Sequence, residues 1–107
     1  MKFGLDDKTL RNFGKVFDSH PQILEVIVYG SRAKGNFREG SDIDLTLKGP
    51  KVTEELRKRV WLELDALNSP YLIDLSVYHL LDSRSLLDHI DRIGQVFYSK
   101  SRQVDVP

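Results

Sequence analysis

The sequence predicts an α/β (α+β) domain in which one small mixed β-sheet is flanked by helices. Three observations predict it. Apolar residues recur at helical spacing in three segments. Three other segments are short, rich in β-branched residues and bounded by glycine, proline or serine. The two patterns interleave along 107 residues, the size of one small domain spanning 1–107.

Residues 7–19 read as the first helix. Asp6 is placed to cap it, Leu10, Phe13 and Phe17 form its apolar stripe, and Val16 widens that stripe. Gly14 costs it some propensity, and His20-Pro21 closes it. Residues 23–29, Ile-Leu-Glu-Val-Ile-Val-Tyr, read as a mostly buried strand that Gly30-Ser31 ends abruptly. Residues 32–40 read as a polar loop that opens with at most a short helical turn. Residues 42–47 alternate strictly, with Ile43, Leu45 and Leu47 on one face of a second strand. Gly49-Pro50 is a turn signal.

Thr53 is placed to cap a helix over about 54–67, with Leu56, Val60, Leu64 and Leu67 as its stripe. Asn68-Ser69-Pro70 stops it, and residues 71–78 form the third strand. A last helix is expected over about 84–98, with Leu86, Ile90, Ile93 and Phe97 on one side and a frayed polar tail from Lys100. The crossover helix between the second and third strands predicts that these two run parallel, in adjacent positions.

Composition narrows the function classes. With no cysteine, disulfides and thiolate chemistry are excluded. No run approaches the ~20 apolar residues of a membrane span. The opening Met1-Lys2-Phe3-Gly4-Leu5-Asp6-Asp7 lacks the apolar stretch of a signal peptide, so a cytoplasmic location is expected. Sixteen basic and 16 acidic residues balance. Residues 1–60 hold 12 basic against 9 acidic groups and residues 61–107 hold 4 against 7. That asymmetry is too weak for a general nucleic-acid binder, but it allows a local basic rim around a phosphate ligand.

Three carboxylates carry the chemistry. Asp42 and Asp44 lie two apart on a strand and so share a face, with Cα atoms ~6.6–6.8 Å apart. Alone, such a pair also fits a solvated strand face. Two like charges this close repel unless a cation neutralises them, and a hard divalent ion such as magnesium takes one or two carboxylates plus substrate phosphates. Asp74 interrupts the apolar run Leu72-Ile73-Asp74-Leu75, where a carboxylate is costly unless paired or metal-bound. If the third strand lies beside the second, Asp74 reaches the same face.

Gly30-Ser31 directly after a buried strand permits a sharp turn and close ligand approach. A helical turn starting there would aim free N–H groups at an anion, the Ser31 hydroxyl adds a donor, and Arg32, Lys34 and Arg38 bring positive charge. As an isolated pair, Gly-Ser is a common structural turn. The segment contains no GxxxxGK[ST] and no GxGxxG, which argues against a P-loop kinase or a nicotinamide-dependent enzyme.

Gly30-Ser31-Arg32-Ala33-Lys34-Gly35, then Arg38, then Ser41-Asp42-Ile43-Asp44-Leu45, resembles the signature of the DNA-polymerase-beta-like nucleotidyltransferases: Gly-Ser, ten residues, Asp-x-Asp. In detail it is similar to the minimal nucleotidyltransferases of the MntA type, over essentially the whole chain. The resemblance implies the polymerase-beta-like fold, with Asp42, Asp44 and Asp74 as the magnesium-binding catalytic carboxylates. It also implies that Gly30 and Ser31 hold the phosphates of ATP, and that one or two of Arg32, Lys34 and Arg38 assist. Minimal members resemble one half of a two-component pair, encoded beside a small all-helical HEPN-type protein, and some act as antitoxins that adenylylate a tyrosine of that partner. Larger relatives carry a further domain for the acceptor; here a partner or a second copy would supply that wall. A regulatory nucleotide- or partner-binding protein without turnover, and an antibiotic-type small-molecule transferase, stand as alternatives. His20, His79 and His89 match no compact metal motif and read as packed or solvent-facing. Trp61 reads as a packed aromatic. Tyr71, Tyr78 and Tyr98 read as packing or interface groups.

Overall fold

A computed structural model of the protein describes residues 1–100. Its elements are helix α1 (Asp7–Asp18), strand β1 (Glu25–Tyr29), short helix α2 (Gly30–Lys34), strand β2 (Ile43–Lys48), helix α3 (Glu54–Asp65), strand β3 (Ile73–Val77), a 3₁₀ turn (Tyr78–Leu80), helix α4 (Arg84–Ile93) and strand β4 (Gln95–Ser99). The sheet runs β3-β2-β1-β4, with β1 antiparallel to β2 and β4, and β2 parallel to β3. The fold class, helices α1 and α3 and the parallel β2–β3 pair match the sequence reading, and α2 stands where a polar loop with a short helical turn is expected.

Local chemistry sets the helix starts. The Asp6 carboxylate accepts the Thr9 N–H at 2.8 Å, and the Thr53 hydroxyl accepts the Leu56 N–H at 3.1 Å. Both satisfy amide groups that a helix leaves unpaired in its first turn.

Strand alternation then divides the molecule. Val26, Val28, Ile43, Leu45, Leu47, Leu75 and Val77 face one side, where Phe13 and Phe17 of α1 and Val60 and Leu64 of α3 complete the main core. Ile27 and Tyr29 face the other side, where Ile90 of α4 closes a smaller cluster. The polar residues of β2 and β3 also fall on that second side. Edge strand β3 is guarded by α3: Trp61 Nε1 donates to the Ile73 carbonyl at 3.1 Å and Arg57 Nη1 to the Leu75 carbonyl at 3.3 Å. These bonds occupy carbonyls that would otherwise invite another strand.

The expected last helix over 84–98 is corrected by the structure. α4 stops at Ile93, and Gln95–Ser99 pairs antiparallel with β1. Gly94 packs so closely on Ile27 and on the Ile90 carbonyl that a Cβ would collide with both. The chain turns there into the open edge of β1, and the run Val96-Phe97-Tyr98 suits a strand. Phe97 fits helical spacing from Ile93, yet it packs in the main core against Phe3, Phe13 and Phe17. The Tyr98 hydroxyl anchors β4 to the end of α1 through a 2.8 Å bond to Asp18. Of the expected frayed tail, Lys100 still bonds to the Leu24 carbonyl; the rest lies outside the described residues.

Gly14 lies inside α1 with open space where a Cβ would project. Gly14→Ala should therefore raise stability by about 0.5–1 kcal/mol, through helix propensity and a stiffer unfolded chain. Urea unfolding checks the value; a loss of stability would mean that this helix face is crowded.

Candidate active site

The register of three strands assembles one row. Tyr29 of β1 is the Cα partner of Asp44 on β2, and Asp44 is the partner of Asp74 on β3. Paired residues project to the same face, so a phenol and two carboxylates stand side by side on the second face of the sheet. Asp42 stands two residues before Asp44, at the entry to β2, and is exposed. Asp74 is exposed and Asp44 is half-buried.

Asp44 carries the electrostatic strain. Burial, then the charges of Asp74 and Asp42, push its pKa above the usual carboxylate range, against a weaker downward pull from the Arg32 guanidinium. Burial likewise raises the Tyr29 hydroxyl, helped by the negative charges of Asp74 and Asp44. Among the described residues, no three His, Asp or Glu side chains are gathered closely enough to hold a metal ion by themselves. The Asp44–Asp74 pair is an all-oxygen, open donor set that fits magnesium, which takes one or two carboxylates and keeps several water or phosphate ligands.

The turn after β1 touches this row directly. Gly30 has φ +71°, and a Cβ on it would overlap the Asp44 carboxylate oxygen Oδ2. Only glycine gives both the left-handed backbone and the room for that carboxylate. Ser31 follows, half-buried at the start of α2, and its carbonyl accepts the Gly35 N–H at 2.9 Å.

The three basic residues separate. Lys34, at the end of α2, and Arg38, on the loop that follows, are exposed. Arg32 points inward and is 3% exposed. Its guanidinium donates to the carbonyls of Phe3 (2.9 Å), Ser41 (2.7 Å) and Asp42 (3.3 Å). Phe37 and Tyr71 stack on it with ring centres at 5.1 and 4.9 Å. Arg32 thus ties the amino-terminal segment, the loop and the entry of β2 together. The loop closes on itself where the Ser41 hydroxyl accepts the Arg38 N–H at 2.8 Å.

Two neighbours of the site escaped sequence reasoning. Tyr29 reads as an ordinary strand aromatic, though its place immediately before Gly-Ser could have marked it. His89 of α4 lies 59 residues from Gly30, yet its Nε2 accepts the Gly30 N–H at 3.2 Å. The other histidines are elsewhere: His20 bonds Glu63 at 2.8 Å, and His79 is exposed on the 3₁₀ turn. Trp61 packs on the main core, as expected.

A family model described as polymerase beta, nucleotidyltransferase matches residues 12–103. No curated protein matches the chain. Solved structures share the fold. A toxin–antitoxin complex with AMP-PNP is 20% identical at a TM-score of 0.65, covering 92% of this chain and 77% of that one. An MntA–HepT toxin–antitoxin structure is 17% identical at a TM-score of 0.64, covering 92% and 76%. A tri-AMPylated Shewanella oneidensis HEPN toxin in complex with MNT antitoxin is 17% identical at a TM-score of 0.64, covering 94% and 78%.

Two outcomes follow from the geometry. Gly30→Ala should lower Tm, because a left-handed alanine alone costs about 1–2 kcal/mol and its methyl displaces Asp44; an unchanged Tm would show that the turn relaxes freely. Asp44 has its pKa raised on folding, so its stabilising contribution is full below the ordinary carboxylate range and lost as pH rises through the folded value. Asp44→Asn should therefore raise Tm in metal-free buffer at pH 7, and the gain should vanish near about pH 3, where carboxylates are protonated. A destabilised variant at pH 7 would contradict the repulsion described above.

Proposed function

The chain belongs to the polymerase beta nucleotidyltransferase family, and from that premise we propose that it transfers AMP from ATP to a hydroxyl of a small all-helical HEPN-type partner protein. The observation that carries the proposal is the in-register pair Asp44–Asp74 with the Gly30 turn pressed against Asp44. A pair of carboxylates that would suit a hard cation lies there against a turn that would suit a phosphate. The choice of partner rests on likeness to toxin–antitoxin structures, one of them holding a tri-AMPylated HEPN toxin.

Asp42, Asp44 and Asp74 would hold magnesium, which when bound offsets phosphate charge and polarises the α-phosphate. Ser31 and the backbone following Gly30 would hold the triphosphate, with the exposed Lys34 and Arg38 offsetting its charge. Arg32 acts from behind, fixing the Asp42 carbonyl and with it the entry of β2. Asp74, at the exposed side of the row, accepts the proton of the incoming hydroxyl. The acceptor oxygen forms its bond to the α-phosphorus in line with the departing group, and the bond to pyrophosphate breaks. Fixed donors already aimed at the phosphates lower the barrier because they need little reorganisation.

Among the described residues, no helix is long and apolar enough to cross a membrane. That suits a cytoplasmic enzyme whose acceptor is a neighbouring protein.

The test uses ATP labelled on the α-phosphate and the HEPN-type protein encoded beside this chain. Label should move to the partner only with magnesium. Asp42→Asn or Asp44→Asn should slow transfer at least about 100-fold, since several kcal/mol of charge stabilisation are lost. Transfer at the normal rate by either variant at saturating magnesium would refute the assignment. Tight nucleotide binding with no labelled product would favour a regulatory binding protein.

A further inference from the structure

We infer that His89 is a positioning residue for the nucleotide turn, acting as a hydrogen-bond acceptor and not as a ligand of the phosphates. The inference rests on the nucleotide-binding reading above. Its ground is geometric. The Gly30 N–H donates to His89 Nε2 at 3.2 Å, so that nitrogen carries no proton and cannot itself donate to an anion. The same ring stands edge-on to Tyr29, with centres 6.1 Å apart and planes at 79°. His89 therefore grips both residues flanking the Tyr29–Gly30 peptide.

This contact fixes what the rest of the turn leaves free. Gly30 can adopt many backbone angles, and the atoms nearest to where a Cβ would stand all belong to Asp44. Orienting the Gly30 amide fixes the peptide plane from which Ser31 departs. α4 is a firm base for this, because Ile90 and Leu86 pack beside Ile27 and Tyr29. The bond also occupies the Gly30 N–H, leaving phosphate binding to groups from Ser31 onward. An apolar ring at position 89 would keep the packing on Tyr29 and lose only the acceptor.

Three variants separate the roles. His89→Phe keeps a ring and removes the acceptor. His89→Gln places an amide oxygen near the position of Nε2. His89→Lys supplies a cationic donor and no acceptor. The measurements are calorimetric affinity for magnesium-ATP, Tm, and the exchange rate of the Gly30 amide proton in nucleotide-free protein.

A positioning role predicts that His89→Phe speeds Gly30 exchange and weakens magnesium-ATP about tenfold, the usual scale for losing one such bond. His89→Gln should recover most of the affinity, and His89→Lys should resemble His89→Phe. Should the Phe variant fail to fold, the contrast between Gln and Lys decides alone. A His89→Lys protein that binds as tightly as the parent while His89→Gln is weak would make residue 89 a phosphate ligand and overturn the inference. Equal affinity in all three variants would overturn it as well. If the unaltered protein binds no magnesium-ATP, the nucleotide-binding reading itself falls and takes this role with it. A parent that binds, with insensitive variants, overturns only the role of His89.

Discussion

The structure depends on one close approach: the Asp44 carboxylate lying on the Cα of Gly30. The antiparallel pairing of β1 with β2 ends at Tyr29 and Asp44, so the residue after β1 must turn away beside that carboxylate. Any side chain at position 30 would occupy the same space. The glycine, its left-handed backbone and the position of Asp44 are thus one constraint. It brings the turn that starts α2 against the acidic row.

Each remaining part holds that contact in place. The first face of the sheet, packed by α1 and α3, keeps β1, β2 and β3 rigid. The second face carries the acidic row beside the smaller cluster of Ile27, Tyr29 and Ile90, and it is covered further along β2, where Thr46 is fully buried. Arg32 locks the loop from inside through backbone carbonyls and two aromatic rings, so its charge needs no buried carboxylate partner. The site keeps its repulsion: Asp44 is partly buried beside two like charges, which costs stability. A cation bound here would remove that repulsion and so stabilise the fold.

Much of this was legible in the sequence because it rests on short-range periodicity. The spacing of two fixes Asp42 and Asp44 on one face and Ile43, Leu45 and Leu47 on the other. The helix between β2 and β3 announces a parallel pair. The match of Asp44 with Asp74 was not legible beyond adjacency, since no local pattern sets the register of parallel strands. The inward turn of Arg32 was hidden because its partners, Phe3, Phe37 and Tyr71, come from separate segments. His89 was hidden for the same reason, being 59 residues from its donor. The missed strand β4 has a different cause. Leu86, Ile90, Ile93 and Phe97 satisfy helical spacing, and only the unfilled edge of β1 together with the crowded Gly94 decides for a strand. Tertiary demand overrode a local pattern there.

A nucleotide held where the Gly30 turn meets the Asp44–Asp74 pair would be felt first by the backbone amides of those residues. The most direct measurement is a titration of amide-labelled protein with AMP-PNP, with and without magnesium, reading the shift of every backbone amide. Magnesium and nucleotide together should move Gly30, Ser31, Asp44 and Asp74 strongly, and nucleotide alone should move them weakly. Shifts confined to the α3 surface, or equal shifts with and without magnesium, would contradict that placement.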